Sequence, residues 1–261
     1  MTAQDEIKKI QRMSIPDRLA LAKAKASKIV DHLLYLLELH ENNAILLYSP
    51  LISGQIPQSH AANAFLVFQR GLHQFEIVRL CALWDGIDLD KENIPTVVAL
   101  IDDPAAIDHL AKEVAAFWKG QEFAVLDPSP DPEMAEAIAE AHRAAEGDFG
   151  RSQGEKARKE LRESIDACTE ICSSAKLSSI MNLRDKHLAH SLSKTRIEKK
   201  AGPVAPMKYG DERELLDRTL PLVEALYRWV GGAGFSFEDS REIDRRNAKA
   251  LWEACTFNVT Y

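Results

Sequence analysis

The stretch that decides the fold class is SIPDRLALAKAKASKIVDHLLYLL, residues 14–37. It begins with a serine, and a proline and an aspartate follow within three residues, which is a helix-start signature. Apolar residues then recur at steps of three and four: Leu19, Ala22, Ala26, Ile29, Leu33 and Leu37. Because this spacing returns to one face of a helix, the stretch predicts a long helix with a single apolar side.

Helical spacing continues along most of the chain, and no segment alternates apolar and polar residues over a convincing strand length. With 261 residues, 46% of them hydrophobic, the chain can bury a sizeable core. We therefore expect an all-α helical bundle that forms a single domain over residues 1–261. Within it we expect an inserted or peripheral helical region around residues 90–150 and a C-terminal helical tail around residues 235–261.

Four local patterns make narrower predictions. A helix from about residue 58 to 84 has an apolar stripe that we expect to face the core, and its members are Phe65, Phe68, Leu72, Phe75, Val78 and Leu80. Glycine and polar residues at 147–154 predict a mobile segment. Serines between 173 and 179 predict a bend or break in a helix. Asp211 with Glu214 predicts a capping box.

The overall charge and the cysteine pattern limit the classes of function. The formal net charge is -7 and the pI is about 5.7, so any RNA or DNA contact has to come from a local basic patch. The four cysteines lack the paired spacing of zinc sites, so we expect reduced thiols, no metal and no cofactor. No signal peptide and no apolar run approaching ~20 residues is present, which predicts a soluble cytoplasmic protein without membrane contact.

Residues 183–190, LRDKHLAH, concentrate the chemistry of the chain. Between Arg184 and Lys200 there are six cationic residues against two acidic ones. Five basic side chains in and after this stretch recur three or four residues apart, namely Arg184, Lys186, His187, His190 and Lys194. On an ideal helix this spacing places them on one surface, which we call the basic ridge.

Arginine and histidine together can cleave an RNA phosphodiester without a metal ion. One imidazole takes the proton of the 2′-hydroxyl, the arginine stabilises the charge that grows on the phosphate, and an acid protonates the leaving 5′-oxygen. An arginine followed by a histidine at this spacing is expected by chance about once or twice in a chain of this composition. The residues alone therefore leave open a solvated helix end with a capping histidine.

The run from 183 to 190 resembles the signature of the HEPN (higher eukaryotes and prokaryotes nucleotide-binding) superfamily, in which an arginine and a polar residue precede a histidine. Arg184, Asp185 and His190 match that pattern, with five residues between the arginine and the histidine. Residues 68–85, FQRGLHQFEIVRLCALWD, resemble the second helix of the abortive-infection branch. The resemblance extends over roughly residues 10–230 and is strongest at these two motifs.

The resemblance implies a metal-independent endoribonuclease whose two subunits bring arginine and histidine together across a homodimer interface. It also implies a phage-defence or toxin–antitoxin system, with RNA as substrate and an antitoxin or defence protein as a further partner. In such a site Arg184 binds and polarises the phosphate, and His190 is the principal acid or base. Asp185 would orient either residue.

Four further side chains are supporting candidates, namely Asp85, Lys186, His187 and Lys194. Asp85 either adds a carboxylate to the site or only ends its helix. One subset of the superfamily has a tyrosine that receives a nucleotide two residues after the histidine; here that residue is Leu192, so we do not expect adenylylation there.

The alternative function is a noncatalytic helical module that binds RNA, a nucleotide or a partner protein through the basic ridge. The remaining histidines stand alone in the sequence and are expected to be satisfied or solvated: His32, His40, His60, His73, His109 and His142.

Overall fold

The computed structural model describes residues 3–118 and 131–259, and all regular structure in these two ranges is helical. The helices are α1 (Ala3–Arg12), α2 (Ile15–Tyr48), α3 (Pro50–Ser53), α4 (His60–Leu83), α5 (Ile94–Ile101), α6 (Pro104–Phe117), α7 (Pro132–Ser173), α8 (Ala175–Leu183), α9 (Arg196–Ala201), α10 (Asp211–Gly231) and α11 (Phe237–Ala254). A π-turn, Arg184–Leu188, follows α8 directly. The predicted all-α bundle is confirmed.

α2 is the central helix of the bundle. The side chain of Ser14 caps it by accepting a hydrogen bond from the Asp17 backbone N–H, as the helix-start signature predicts. Every residue of the predicted apolar stripe is at most 3% exposed. Burying a leucine such as Leu33 contributes about 1.5–3 kcal/mol. The stripe decides the fold because α4, α5, α10 and α11 all pack around this helix.

α5 and α6 share the core of α2. Ile94, Leu100 and Leu110 lie in one continuous apolar cluster with the α2 stripe. The limits of the peripheral region predicted around residues 90–150 stay a prediction, and residues 119–130 of it lie outside the described residues. In the predicted C-terminal tail, α11 packs against α2.

The glycine-rich segment 147–154 lies inside the 42-residue helix α7, so the prediction of a mobile segment is wrong. Two of its glycines face α6. A Cβ added at Gly150 would stand 2.6 Å from the carbonyl oxygen of Ala115, and one at Gly154 would stand 2.8 Å from that of Ala111. The missing side chains therefore permit close approach of two helices, which sequence alone does not distinguish from a loop.

α4 is buried only along its second half, where the buried residues are Glu76, Ile77, Leu80, Cys81 and Leu83. Its first half exposes Leu66, Val67 and Phe68, with Val67 69% exposed, and Phe75 is exposed as well. Only Leu80 of the predicted inner stripe is buried, so that prediction is wrong. Helical spacing marks an apolar face, but other helices of this chain cover only part of it.

The helix break predicted among the serines is confirmed at Ser174, which ends α7 and caps α8. The capping box predicted at the start of α10 does not form. Gly210 is the cap residue there, with φ of 94°, and the Asp211 carboxylate accepts from the Lys208 backbone N–H at 2.7 Å. Within the two described ranges, no helix combines the length and the apolar character needed to cross a bilayer.

Candidate functional site

The motif lies where the α-helical hydrogen bonding of α8 gives way to a π-turn. The Ala189 backbone N–H donates to the Arg184 carbonyl oxygen, five residues earlier, at 2.8 Å. Such turns widen a helix by one residue and occur often at functional sites. The side chains from 184 onward therefore do not follow ideal α-helical spacing.

The residues after the π-turn are not helical. The Leu192 backbone N–H donates to the Lys186 carbonyl oxygen at 3.0 Å, which folds the chain back against the turn. His190 and Lys194 lie in this loop, between the π-turn and α9. The basic ridge predicted as one helical surface is therefore wrong, because the helix ends before two of its five members.

Arg184 is fixed by two carboxylates. Its Nη1 donates to Asp85 Oδ1 at 2.5 Å, and its Nε donates to Asp185 Oδ1 at 2.8 Å. The Arg184 side chain is 17% exposed. Burial disfavours its charge, but the hydrogen bonds to both carboxylates outweigh this effect and raise the pKa of the guanidinium.

Asp85 lies just after α4, at the end of the stretch 68–85. Its bond to Arg184 connects that stretch with residues 183–190. Asp85 also accepts a hydrogen bond from Lys91 Nζ at 3.0 Å. Burial opposes its charged form, yet the hydrogen bonds from Arg184 and Lys91 lower the pKa of Asp85. The structure thus brings Asp85 to the motif, beyond its position as a helix terminator.

Lys186 is paired on the other side of the turn. Its Nζ lies 2.8 Å from Glu198 Oε1, in α9, and this hydrogen bond is the main reason that the pKa of Glu198 falls to about 2. Glu198 and Thr195 form the capping box of α9, and the Thr195 hydroxyl donates to Asn182 Oδ1 at 2.5 Å. This network fixes both ends of the loop. Sequence analysis did not predict Glu198, Thr195 and Asn182 as partners, because each is a single residue of the network and belongs to no recognisable motif.

Among the acidic and basic side chains of residues 183–194, three are exposed: His187, His190 and Lys194. No hydrogen bond or ion pair engages these three side chains within residues 3–118 and 131–259. A substrate can therefore meet them without first displacing an internal partner. The arrangement combines a fixed cation, Arg184, with the two exposed imidazoles of His187 and His190.

His187 also lines a cavity of about 260 Å³ between the motif, α4 and the start of α10. Its polar lining consists of Arg70, His73, Gln74, His187, Lys208 and Tyr209. Tyr209 is 78% exposed, and its ring stacks on His73, with the centroids 5.2 Å apart. Sequence analysis treated His73 as an isolated histidine, and no spacing pattern connects it with Tyr209.

A buried carboxylate lies behind this stacked pair. Glu212 is 1% exposed; its Oε1 lies 3.5 Å from His73 Nε2 and accepts a hydrogen bond from the Tyr48 hydroxyl. Burial alone would raise the pKa of Glu212, but His73 and Tyr48 lower it to about 2. Burial and the neighbouring carboxylate together raise the pKa of Tyr48.

Across the part of the chain that the structure describes, no group of three or more histidine, cysteine, aspartate or glutamate side chains has a geometry that could hold a metal ion. All four cysteines are free.

An all-α bundle with an Arg-Asp turn at a helix end, a histidine just beyond it and a carboxylate just after a second long helix has the features of a HEPN-type protein. The sequence matches the AbiU2 family of HEPN proteins over residues 26–251, a range that includes both motif stretches. The chain therefore belongs to the AbiU2 family, an abortive-infection type within the HEPN superfamily. No curated protein and no solved structure matches the chain significantly.

Proposed function

We propose that this protein is a metal-independent endoribonuclease of a defence system, and that it cuts RNA through attack of a 2′-hydroxyl on the adjacent phosphorus. One contrast carries the proposal. Arg184 is fixed by two carboxylates, whereas His190, six residues later, is exposed and has no partner within the described ranges. A fixed cation near a free imidazole is what this reaction requires.

Arg184 retains capacity for a phosphate while both carboxylates hold it. A guanidinium has five N–H groups. Asp85 takes one of them, and Asp185 takes at most two, through Nε and Nη2. The remaining N–H groups can donate to phosphate oxygens, and the carboxylates keep the side chain oriented for that contact.

In the proposed reaction the neutral imidazole of His190 accepts the proton of the 2′-hydroxyl. The 2′-oxygen then bonds to phosphorus, Arg184 stabilises the added negative charge, and the bond from phosphorus to the 5′-oxygen breaks. A protonated imidazole delivers a proton to that 5′-oxygen. The products are a 2′,3′-cyclic phosphate and a free 5′-hydroxyl, so atoms and charge balance without a further reactant.

A second copy of the chain supplies the second imidazole in this proposal, because a twofold axis doubles each group. Support for such a pair comes from α4. Its first half exposes Leu66, Val67 and Phe68, although core packing covers its second half, and the same helix leads to Asp85 at the motif. An apolar face of this kind suits contact with another protein surface, such as that of a second copy of the chain.

Sedimentation tests the homodimer. The wild-type protein is expected to sediment as a dimer, and Phe68→Asp is expected to shift it toward monomer and to reduce cleavage in parallel. Phe149→Asp, at an exposed phenylalanine of α7, serves as the control and should remain dimeric. A wild-type protein that is monomeric while it cleaves RNA would contradict the shared site.

The products of RNA cleavage test the reaction itself. Purified protein incubated with mixed RNA in the presence of a chelator should yield fragments that end in 2′,3′-cyclic phosphate. Fragments with 3′-hydroxyl ends, or cleavage that stops in chelator and returns with Mg²⁺, would contradict the proposed chemistry.

One observation favours a second candidate. The two carboxylates that hold Arg184 neutralise it, as they would in a purely structural contact, while the cation Lys194 is exposed and has no ion pair within the described ranges. The same surface therefore also suits a noncatalytic module that binds RNA, a nucleotide or a partner protein. Binding of RNA without any cleavage would favour this candidate.

A further inference from the structure

The 260 Å³ cavity beside the motif has the composition of a site for one nucleotide. Its volume lies just below the range of about 300–1,000 Å³ that holds drug-sized ligands, so it fits a single base and not two. Its apolar lining consists of Ile77, Leu183, Leu188 and Met207. Polar and cationic groups complete the lining, and a flat heterocycle with a phosphate needs both kinds of group.

Tyr209 is held as a stacking platform. One face of its ring lies on His73, with an interplanar angle of 15°, and Tyr48 contacts it edge-on with the centroids 6.5 Å apart. The residue nevertheless remains 78% exposed. Because two neighbours fix the ring while its other face stays open, a base can stack there at little cost in conformational entropy.

The backbone next to this platform is also fixed. Gly210 has a φ of 94°, a conformation that favours glycine, and its N–H donates to the buried Glu212 carboxylate at 3.1 Å. That carboxylate also lies beside His73. One buried anion therefore holds the loop that carries Tyr209 and lies beside the ring on which Tyr209 stacks.

The cations at the cavity differ from those of the motif. Arg184 and Lys186 both have carboxylate partners, whereas Arg70 and Lys208 have no ion pair within the described parts of the chain. Both are exposed at the cavity. Unpaired cations beside a stacking ring are the combination by which proteins hold single-stranded nucleic acid.

We propose that this cavity holds one base of a single-stranded RNA, stacked on Tyr209, with the phosphate of that nucleotide paired to Arg70 and Lys208. His187 belongs to both the cavity and the motif, so the next phosphodiester of the strand reaches the His190 loop. This proposal rests on RNA being the substrate, as proposed above, and it assigns the group that selects which bond is cut.

The test is binding of a fluorescent RNA of about eight nucleotides by the full chain carrying His190→Ala, which keeps the RNA intact. Tyr209→Ala is expected to weaken binding about tenfold, because a stacked base is lost, whereas Tyr209→Phe keeps the ring and should stay within about twofold. The matched control is Phe149→Ala, an exposed aromatic on α7. Equal binding by Tyr209→Ala and Tyr209→Phe would overturn the proposal.

Salt dependence tests the two cations. Arg70→Ala and Lys208→Ala should each reduce the slope of log affinity against log salt by about 0.7, as expected for loss of one contact to a single strand. Arg246→Ala, at an exposed residue of α11, should leave the slope unchanged. Unchanged slopes in Arg70→Ala and Lys208→Ala would contradict the phosphate contacts.

Two further measurements, binding of AMP and cleavage of RNA, distinguish the cavity proposal from the proposed function. If AMP binds in a Tyr209-dependent manner and RNA does not, the site takes a free nucleotide and the RNA proposal fails. Cleavage is measured separately in chains with His190 intact. Tyr209-dependent RNA binding without cleavage would retain the cavity proposal and overturn the ribonuclease, while cleavage with Tyr209-independent binding would do the reverse.

Discussion

The inner and outer sides of the motif differ in how their charges are satisfied. On the inner side, Arg184 bonds to Asp85 from a distant part of the chain, and Lys186 bonds to Glu198 beyond the following loop. On the outer side, His187 and His190 are exposed and have no partner in the described ranges. This difference shows that one short motif both stabilises the bundle through ion pairs and exposes groups that can react with a substrate. Variants of the inner side should change stability, and variants of the outer side should change activity alone.

Arg184→Ala should give the largest combined effect, because this inner-side residue is bonded to two carboxylates and also keeps N–H groups for the phosphate. Cleavage is expected to fall about 10²- to 10³-fold, as when one donor to a transition-state oxyanion is removed. The free energy of unfolding should also fall by about 2 kcal/mol, since Asp85 and Asp185 lose their partner in a mostly buried position. RNA cleavage and chemical denaturation measure the two effects.

Arg184→Lys is the matched control, because it keeps the charge but loses the paired N–H geometry. Intermediate loss of cleavage is expected. If Arg184→Ala lowers stability but leaves cleavage unchanged, the arginine is structural only.

Glu212→Gln extends the comparison to the cavity, where a buried anion supports the exposed ring of Tyr209. The folded-state pKa of Glu212 is about 2, below its ordinary value of 4.5. A depressed pKa contributes stability that is present above pH 4.5 and is lost as the pH falls toward 2. The free energy of unfolding of wild type should exceed that of Glu212→Gln by about 2–3 kcal/mol at pH 6. This difference should disappear as the pH falls from 4.5 toward 2. Chemical denaturation of both proteins at several pH values measures this difference. A difference that does not change with pH would contradict the account.

Asp85→Asn should have a smaller effect that is confined to the inner side. We expect the free energy of unfolding to fall by about 1 kcal/mol. Arg184 keeps its hydrogen bond to Asp185, and the asparagine can still accept a hydrogen bond. Cleavage should stay within about tenfold of wild type, since the cation remains in place. Asp148→Asn, in an exposed pair with Arg151, is the control and should change stability by less than about 0.5 kcal/mol.

Lys186→Ala should give the smallest effect. Its ion pair with Glu198 is partly exposed, so the free energy of unfolding is expected to fall by about 0.5 kcal/mol. Because the pair lies at the base of the loop that carries His190, cleavage should fall only a few-fold. A loss of cleavage as large as that of Arg184→Ala would assign Lys186 to the reaction and would break the division between the two sides.

Local chemistry was predictable from the sequence, and spatial context was not. The cap at Ser14, the stripe of α2 and the break at Ser174 depend on neighbouring residues, and all three are confirmed. The exposed half of α4 and the helical packing of Gly150 depend on what lies opposite in space. Neither property can be obtained from periodicity within one helix.

The motif residues were identified from the sequence, but their arrangement was not. Ideal helical spacing predicts the basic ridge, whereas the π-turn ends the helix before His190. The sequence leaves open whether Asp85 adds a carboxylate to the site or only ends its helix, and its bond to Arg184 is visible only in the fold. The cavity residues His73 and Tyr209 lie on separate elements, and only the fold brings them together.

The most direct test of the central claim is the rate of RNA cleavage by His190→Ala compared with His142→Ala, in chelator and at matched protein stability. His142 is an exposed histidine of α7, away from the motif. The account predicts that His190→Ala loses at least about 10²-fold in rate, as expected for removal of an acid–base group, while His142→Ala cleaves like wild type. Equal rates for the two variants would show that His190 is not the reacting residue.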